Sequence, residues 1–212
     1  GKSKLIFSNK SPSFPLFGFD WRLNPYLKME YLHGHLMSGI PNYSTLEDYY
    51  SNKWSNSKGL NVSRNIAAHR FIWTPFEKLS IIGTETVVYG VRGIDIHYLV
   101  PFIPFWSLQH YLGDTDNIQM ALEMKYSFSE KLKTYGTIFI DEWSPDKTFD
   151  DYNRNWFGYQ AGLKYSSLLN MSDQLILEFS WTDSRIYKHR FNLNDYYSHN
   201  YPLGFWAGPH AE

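Results

Sequence analysis

Large apolar residues alternate with polar residues along most of this chain. Between residues 117 and 128 every second position is apolar, including Met120, Leu122 and Met124, and Gln119 and Glu123 lie between them. Alternation with period two is typical of a β-strand with one apolar and one polar face. The pattern predicts eight strands, at residues 15–23, 26–38, 66–74, 79–90, 117–128, 131–143, 155–167 and 174–183.

The predicted connections alternate strictly between short and long. They are short at 24–25, 75–78, 129–130 and 168–173, and long at 39–65, 91–116, 144–154 and 184–212. One end of the sheet therefore carries the tight turns, and the other end carries all of the long connections. Bacterial outer-membrane barrels have this arrangement, with short periplasmic turns and long outer loops. A soluble sandwich with Greek-key crossings has less reason to sort its loops in this way.

Strand length and side-chain chemistry favour a membrane barrel over a soluble sandwich. All eight predicted strands are longer than a soluble strand, which has roughly five or six residues, and they reach the roughly 9–11 residues of a membrane-crossing strand. The chain has 17 Tyr, 15 Phe and 8 Trp, and aromatic rings at strand ends are typical of barrel girdles. A charge in mid-bilayer costs about 2–4 kcal/mol, so mid-strand Glu123 and Glu178 must face a lumen. We therefore expect Met120, Leu122, Leu177 and Phe179 to face lipid.

Composition narrows the possible functions. The net charge of −1 argues against nucleic-acid binding, and the lack of cysteine excludes disulfides and thiolate metal sites. No apolar run reaches the length of a membrane helix, about 18 residues, and the most apolar stretch, 98–112, is interrupted by Pro101 and Pro104. The sequence contains none of the common catalytic or nucleotide-binding motifs. We predict a protein that is not an enzyme and has no metal site or cofactor.

Several longer stretches resemble a known family. VVYGVRGIDIHYLVP (87–101), LQHYLGDTDNIQMAL (108–122), LKTYGTIFIDEW (132–143) and YKHRFNLNDYYSHNYPLGFWAGPHAE (187–212) are similar to the Wzi-type capsule-assembly proteins of Gram-negative outer membranes. The resemblance implies an all-β, antiparallel transmembrane β-barrel of about eighteen strands that helps to hold capsular polysaccharide at the cell surface without catalysis. Residues 1–212 would then be a single barrel segment, incomplete at both ends.

Charged residues around the 91–116 connection are the first candidate site. Glu85, Arg92, Asp95, Asp114 and Asp116 could hydrogen-bond sugar hydroxyls at the outer rim of the barrel. The same residues could instead have a structural role. Arg92 and Asp95 would pair to fix the loop, and Asp114 and Asp116 would serve as turn residues. The sequence is compatible with both the sugar-binding role and the structural role of these residues.

Aromatic residues in the long connections are the second candidate site. Sugar rings pack on aromatic faces while amide and carboxylate groups satisfy the hydroxyls. The adjacent carboxylates Asp141 and Glu142 point to opposite faces of a strand, so they cannot act together on one glycosidic bond. The candidate polysaccharide-binding aromatic residues are Trp54, Tyr196, Tyr197 and Trp206.

These observations predict an outer-membrane barrel that helps attach or assemble capsular or related surface polysaccharide. Its partners would be that polysaccharide and outer-membrane lipid, without nucleic acid. Two alternatives remain open. The first is an outer-membrane channel for a solute, and the second is a soluble, secreted β-sandwich that binds carbohydrate.

Overall fold

An eight-stranded antiparallel sheet forms the body of the molecule. The computed structural model describes residues 3–42, 61–144, 155–167 and 172–205, and the eight strands of this sheet pair in chain order. This confirms the predicted all-β antiparallel fold. The strands are β1 (Leu16–Asn24), β2 (Leu27–Pro41), β3 (Asn61–Phe76), β4 (Leu79–Gly90), β5 (Asn117–Ser127), β6 (Leu132–Glu142), β7 (Trp156–Ser166) and β8 (Gln174–Thr182).

The connections alternate between short and long, as predicted. The largest described connection, between β4 and β5, contains a 3₁₀ helix (Ile96–Leu99) and the short helix α1 (Phe105–Tyr111). After β8, a second 3₁₀ helix (Asn192–Asn194) precedes a small hairpin of β9 (Tyr197–Ser198) and β10 (Tyr201–Pro202). Within the described ranges, no helix has the length and apolar character needed to cross a bilayer.

The strand register sorts side chains into rows of opposite character, because cross-strand partners share a face of the sheet. One row crosses all eight strands and is almost wholly apolar. It consists of Trp21, Met29, Phe71, Gly83, Leu122, Ile138, Tyr159 and Trp181. The adjacent row lies on the opposite face and is mostly polar. It consists of Arg22, Lys28, Ile72, Ile82, Glu123, Thr137, Gln160 and Ser180. We call these two faces the apolar face and the polar face.

The polar face is covered by two chain segments, residues 3–8 and 183–205, which we call the polar-face cover. Ser3 hydrogen-bonds Gln160, and Tyr187 donates its hydroxyl proton to the carbonyl of Leu5 at 2.8 Å. A hydrophobic cluster lies between the cover and the strands. Its buried members are Leu5, Ile6, Leu36, Ile66, Val88, Ala121, Phe139, Ile186, Tyr187, Tyr196, Tyr197 and Leu203.

The apolar face is covered only in part. Residues 92–112, which we call the apolar-face cover, bury a second cluster against β2–β5. Its buried members are Met29, Tyr31, Ala67, Val87, Tyr89, Tyr98, Phe105, Leu108 and Ile118. Of the four residues expected to face lipid, Leu122, Leu177 and Phe179 are exposed, whereas Met120 packs against the edge of this cluster.

Candidate functional site

Arg92 holds two carboxylates together where β4 ends and β5 begins. Its Nε donates to Asp95 at 2.9 Å, and its two terminal nitrogens donate to the two oxygens of Asp116 at 3.0 and 2.6 Å. Paired bonds of this kind between guanidinium and carboxylate are among the strongest in proteins. Asp116 is only 1% exposed and also accepts a hydrogen bond from the Tyr98 hydroxyl at 2.7 Å. These contacts fit the structural reading of the pair, which fixes the connection between the strands.

Burial and ion pairing shift the pKa values of Asp95 and Arg92 in opposite directions. Burial opposes the charge on Asp95, yet hydrogen bonds from His97 and Arg92 outweigh it and hold the pKa of Asp95 below its usual value. Burial also opposes the charge on Arg92, but Asp116 and Asp95 raise its pKa. Burial and the bond to Asp116 raise the pKa of Tyr98. The cluster therefore contains a stable ion pair and a neutral phenol donor.

Glu85 and Asp114 lie apart from the Arg92 cluster. Glu85 accepts hydrogen bonds from His69 Nε2 at 2.8 Å and from the backbone N–H of Phe105 at 2.9 Å. Asp114 has a φ of 56°, which fits the turn interpretation, and its backbone carbonyl accepts a hydrogen bond from Arg190. Asp116 differs from that interpretation, because its carboxylate binds the side chains of Arg92 and Tyr98. The structure therefore brings together three of the five charged residues in one cluster, and the other two belong to its surroundings.

The two described aromatic candidates lie in the interior. Tyr196 is completely buried and donates its hydroxyl proton to the carbonyl of Ile6 at 2.9 Å, and Tyr197 is nearly buried in the same cluster. In this conformation both rings pack the polar-face cover against the sheet rather than facing a ligand. Trp54 and Trp206 lie outside the described residues. Polysaccharide contact by these four residues stays a prediction.

A cleft of about 660 Å³ lies between the apolar-face cover, the ends of β5 and β6, and the polar-face cover. Trp106 from α1 and Trp143 just after β6 both line it, and both are about half exposed. Hydrogen-bonding side chains complete the lining. They include Glu85, Gln109, His110, Asp114, Asp116, Asp141, Glu142, His189 and Arg190.

A second cavity of about 820 Å³ shares Asp116, His189 and Arg190 with this cleft. Its other lining residues include the Asn192 and Asn194 amides and the Phe191 ring. The two cavities together give the strand ends a broad, polar and aromatic recess. Such a recess suits a ligand with many hydroxyl groups.

Sequence reasoning missed both tryptophans of the cleft as binding candidates. Trp143 looked like a girdle residue at a strand end, and Trp106 belongs to an apolar stretch with no periodic pattern. No spacing rule connects them, because they meet only when residues 92–112 fold back across the sheet. A local signal was available only at Trp143, which directly follows Asp141 and Glu142, since no carboxylate lies close to Trp106 in the sequence.

The described ranges contain no group of three or more His, Cys, Asp or Glu side chains arranged to hold a metal ion. Comparisons with protein-family models, with curated proteins and with solved structures find no match to this chain.

Proposed function

We propose that this sheet is part of the wall of an outer-membrane β-barrel of the Wzi type, which holds capsular or related polysaccharide at the bacterial surface. The observation that carries the proposal is an inversion of ordinary burial. On β5, β6 and β7 the polar-row residues Glu123, Thr137 and Gln160 are 1%, 6% and 3% exposed. Their apolar-row neighbours Leu122, Ile138 and Tyr159 are 54%, 44% and 41% exposed.

Lipid explains this inversion better than water does. Leu175, Leu177, Phe179 and Trp181 continue the exposed surface along β8. Large contiguous apolar surfaces on soluble proteins mark interaction sites or aggregation hazards. In a bilayer the same side chains contact acyl chains, and the buried charges on the opposite face avoid the cost of about 2–4 kcal/mol for a charge in mid-bilayer.

The proposal also includes further strands. Among the described residues β1 pairs only with β2, and β8 pairs only with β7. An unpaired strand edge cannot lie in hydrocarbon, because its N–H and C=O groups would have no partners. Additional strands, from the same polypeptide or a partner, would therefore pair with β1 and β8. This agrees with the barrel of about eighteen strands that the family resemblance implies.

The cleft supports the glycan part of the proposal. Its two half-exposed tryptophans offer faces for sugar rings, and the surrounding amide, imidazole, guanidinium and carboxylate groups match hydroxyls. For Asp116 and Asp141 a structural role fits better than catalysis. Asp116 is fully engaged by Arg92 and Tyr98, and Asp141 by Gln119 and the Tyr187 backbone N–H. These carboxylates lack the freedom of a general acid or base.

The membrane proposal is tested with a matched pair of arginine substitutions on β8. Leu177 and Ile176 are adjacent, aliphatic and similarly exposed at 59% and 56%, but they lie on opposite faces. We expect Leu177→Arg to abolish stable outer-membrane assembly, measured as heat-resistant, detergent-extractable protein in membrane fractions. Ile176→Arg should assemble like the wild type, since its side chain faces the lumen. Equal behaviour of the two variants, or a wild-type protein found wholly in the soluble fraction, would contradict a membrane wall.

The glycan proposal is tested with a matched pair of tryptophans. Trp143 lines the cleft and is 50% exposed, whereas Trp73 lies on the apolar face near the opposite end of the sheet and is 49% exposed. The probe is surface polysaccharide extracted from the cell that makes the protein. We expect Trp143→Ala to weaken binding about tenfold, because stacking contributes about 1 kcal/mol or more beyond area burial. Trp73→Ala should bind normally, and equal affinities would argue against the cleft.

Conductance separates a polysaccharide anchor from a solute channel. Residues 3–8 and 183–205 lie over the polar face, which would line the lumen. This supports an occluded barrel, and we expect low single-channel conductance in planar bilayers. A large, steady conductance would instead favour the channel.

A further inference from the structure

The apolar-face cover lies on the face of the sheet that the proposed barrel turns toward lipid. Tyr98, Phe105 and Leu108 point inward and are buried against β2–β5. The Phe105 ring stacks on the imidazole of His69, with ring centroids 4.2 Å apart. Residues 92–112 therefore separate this part of the sheet from its surroundings.

Polar side chains lie beneath this cover, where a lipid-facing surface would not tolerate them. The His69–Glu85 pair receives a hydrogen bond from the Phe105 backbone. The Tyr31 hydroxyl donates to the carbonyl of Tyr98 at 2.8 Å. The Tyr89 hydroxyl lies 2.6 Å from His33 Nε2 and accepts from the Asp95 N–H. The backbone of the cover thus provides hydrogen-bond partners for Glu85, Tyr31 and Tyr89 on the apolar face.

The outward side of the cover is apolar, unlike the surface of an ordinary water-exposed loop. Ile96 is 71% exposed and Phe102 is 51% exposed. The Phe102 ring meets the Trp21 ring edge-on, with centroids 5.8 Å apart, which joins this surface to the exposed face of β1. The remaining outward-facing apolar residues are Ile94, Leu99, Val100 and Ile103.

The backbone of the cover satisfies many of its own donors. The N–H groups of Tyr98, Val100 and Ile103 donate to the carbonyls three residues earlier, and that of Leu108 donates to Pro104. Pro101 and Pro104 have no N–H to satisfy. Irregular chain is tolerated next to lipid only where its polar groups have partners. The backbone is therefore partly satisfied within the cover, which suits the headgroup boundary better than the bilayer centre.

We propose that residues 96–103 form a lipid-contacting element outside the barrel wall, seated at the boundary between headgroups and acyl chains. This inference rests on the proposed membrane function. The boundary fits better than the bilayer centre, because charged residues flank the element. Arg92 and Asp95 precede it, and His110 and Asp114 follow it. Apolar and aromatic side chains on one side of a short polar-ended segment are typical of interfacial elements.

Residues 1–212 contain no cysteine, so single cysteines can be introduced into this segment without removing a native one from it. Single variants Ile103→Cys, Leu177→Cys and Asp114→Cys, in the full-length protein, are labelled with a small environment-sensitive fluorophore and placed in phospholipid vesicles. Quenchers are attached to lipids near the headgroup or deep in the acyl chain, and iodide is the aqueous quencher. Ile96→Cys provides a second outward position that no packing contact depends on, should Ile103→Cys fail to assemble.

We expect the Ile103 label to lose most of its fluorescence to the shallow lipid quencher and little to iodide. The Leu177 label should respond to lipid quenchers, and the Asp114 label to iodide. A lipid-quenched Leu177 label beside an iodide-quenched Ile103 label would overturn the inference while leaving the membrane wall intact. An Ile103 label shielded from every quencher would overturn it in favour of a protein partner. If the Leu177 label also escapes lipid quenchers, the membrane function itself is wrong.

Discussion

The polar-face cover and the apolar-face cover differ in the polarity of their exposed residues, and this difference indicates what surrounds each cover. Both are anchored by an arginine. Arg64 on β3 is buried and donates to three backbone carbonyls, those of Met37, Leu193 and Tyr197, which ties it to the polar-face cover. Arg92 is partly exposed and binds two carboxylates at the start of the apolar-face cover.

The exposed sides of the covers differ more strongly than their anchors. Between residues 183 and 205 the exposed positions are mainly polar or charged, such as Arg185, Lys188 and Asn200. Between residues 92 and 112 they are mainly apolar, such as Ile96 and Phe102. One chain thus lays a water-compatible segment over its polar face and an apolar segment over its apolar face. Each cover extends the character of the face beneath it.

Removing the Arg64 anchor should have the largest effect on this comparison. Arg64→Met leaves the carbonyls of Leu193 and Tyr197 without this donor, whereas that of Met37 still accepts from the His199 N–H. Each unsatisfied buried group costs about 1–3 kcal/mol. We expect a loss of about 4 kcal/mol in the free energy of unfolding, measured by urea denaturation of the refolded protein, with faster proteolysis between residues 183 and 205. The control Arg190→Met removes an exposed arginine from the same cover and should cost under about 1 kcal/mol. Similar losses for both variants would mean that Arg64 is not the anchor.

Breaking the Arg92 anchor should have a smaller effect that is confined to the other cover. Asp116→Asn removes the buried charge that holds Arg92 and Tyr98, but Arg92 keeps Asp95 and some solvent contact. We expect a loss of about 2 kcal/mol and faster hydrogen exchange in residues 95–112, read by mass spectrometry. Asp114→Asn keeps the backbone carbonyl that Arg190 uses, so it should leave exchange unchanged. Faster exchange in residues 183–205 alone would mean that Asp116 stabilises the polar-face cover rather than the apolar-face cover.

Mild acid should loosen the polar-face cover first, with the smallest effect of the three changes. Burial lowers the pKa of His189, and the Arg190 guanidinium acts in the same direction. As pH falls, the unfolded chain therefore takes up a proton before the folded chain does. The stability that His189 contributes is present above about pH 6.5 and is lost as pH falls through the lower folded pKa. Asp195, whose pKa is raised by burial, opposes this loss at lower pH.

The apolar-face cover should resist the same acidification. The lowered pKa of Asp95 means that its contribution persists down to about pH 3.9 and is lost only as pH falls through the folded value. Hydrogen exchange, corrected for its intrinsic pH dependence, should therefore show residues 183–195 loosening between pH 6.5 and 5, roughly, while the His97 amide, which donates to the Asp95 carboxylate, stays protected. Simultaneous loosening of both covers would show that His189 does not control the difference. In His189→Gln the early loosening should disappear.

The sheet was predictable from sequence because its signal is local. Alternation along β5, for example, fixes which side chains share a face, and a short turn fixes the next strand as an antiparallel partner. Even so, β3 begins at Asn61 rather than at the predicted residue 66. Its early part contains Arg64 and Asn65, whose polar side chains conceal the strand while bonding to distant carbonyls.

The covers and the cleft were less predictable because their contacts are distant in sequence. Pro101 and Pro104 interrupt any periodic pattern between β4 and β5, so nothing local shows that this connection folds back across the apolar face. Tyr196 resembles a loop aromatic by composition, yet it is buried against the carbonyl of Ile6. By contrast, the pairing of Arg92 with Asp95 was predictable, since the two lie within one turn of chain.

The up-and-down strand order has a consequence for how the molecule is made. Every hairpin of the sheet joins neighbours in the chain, so each can form soon after its residues become available, and such low contact order favours rapid folding. The hydrogen bond from Tyr187 to Leu5, by comparison, spans 182 positions. Loop-closure entropy makes such a contact slow to form. The polar-face cover should therefore form last, after the strands have paired.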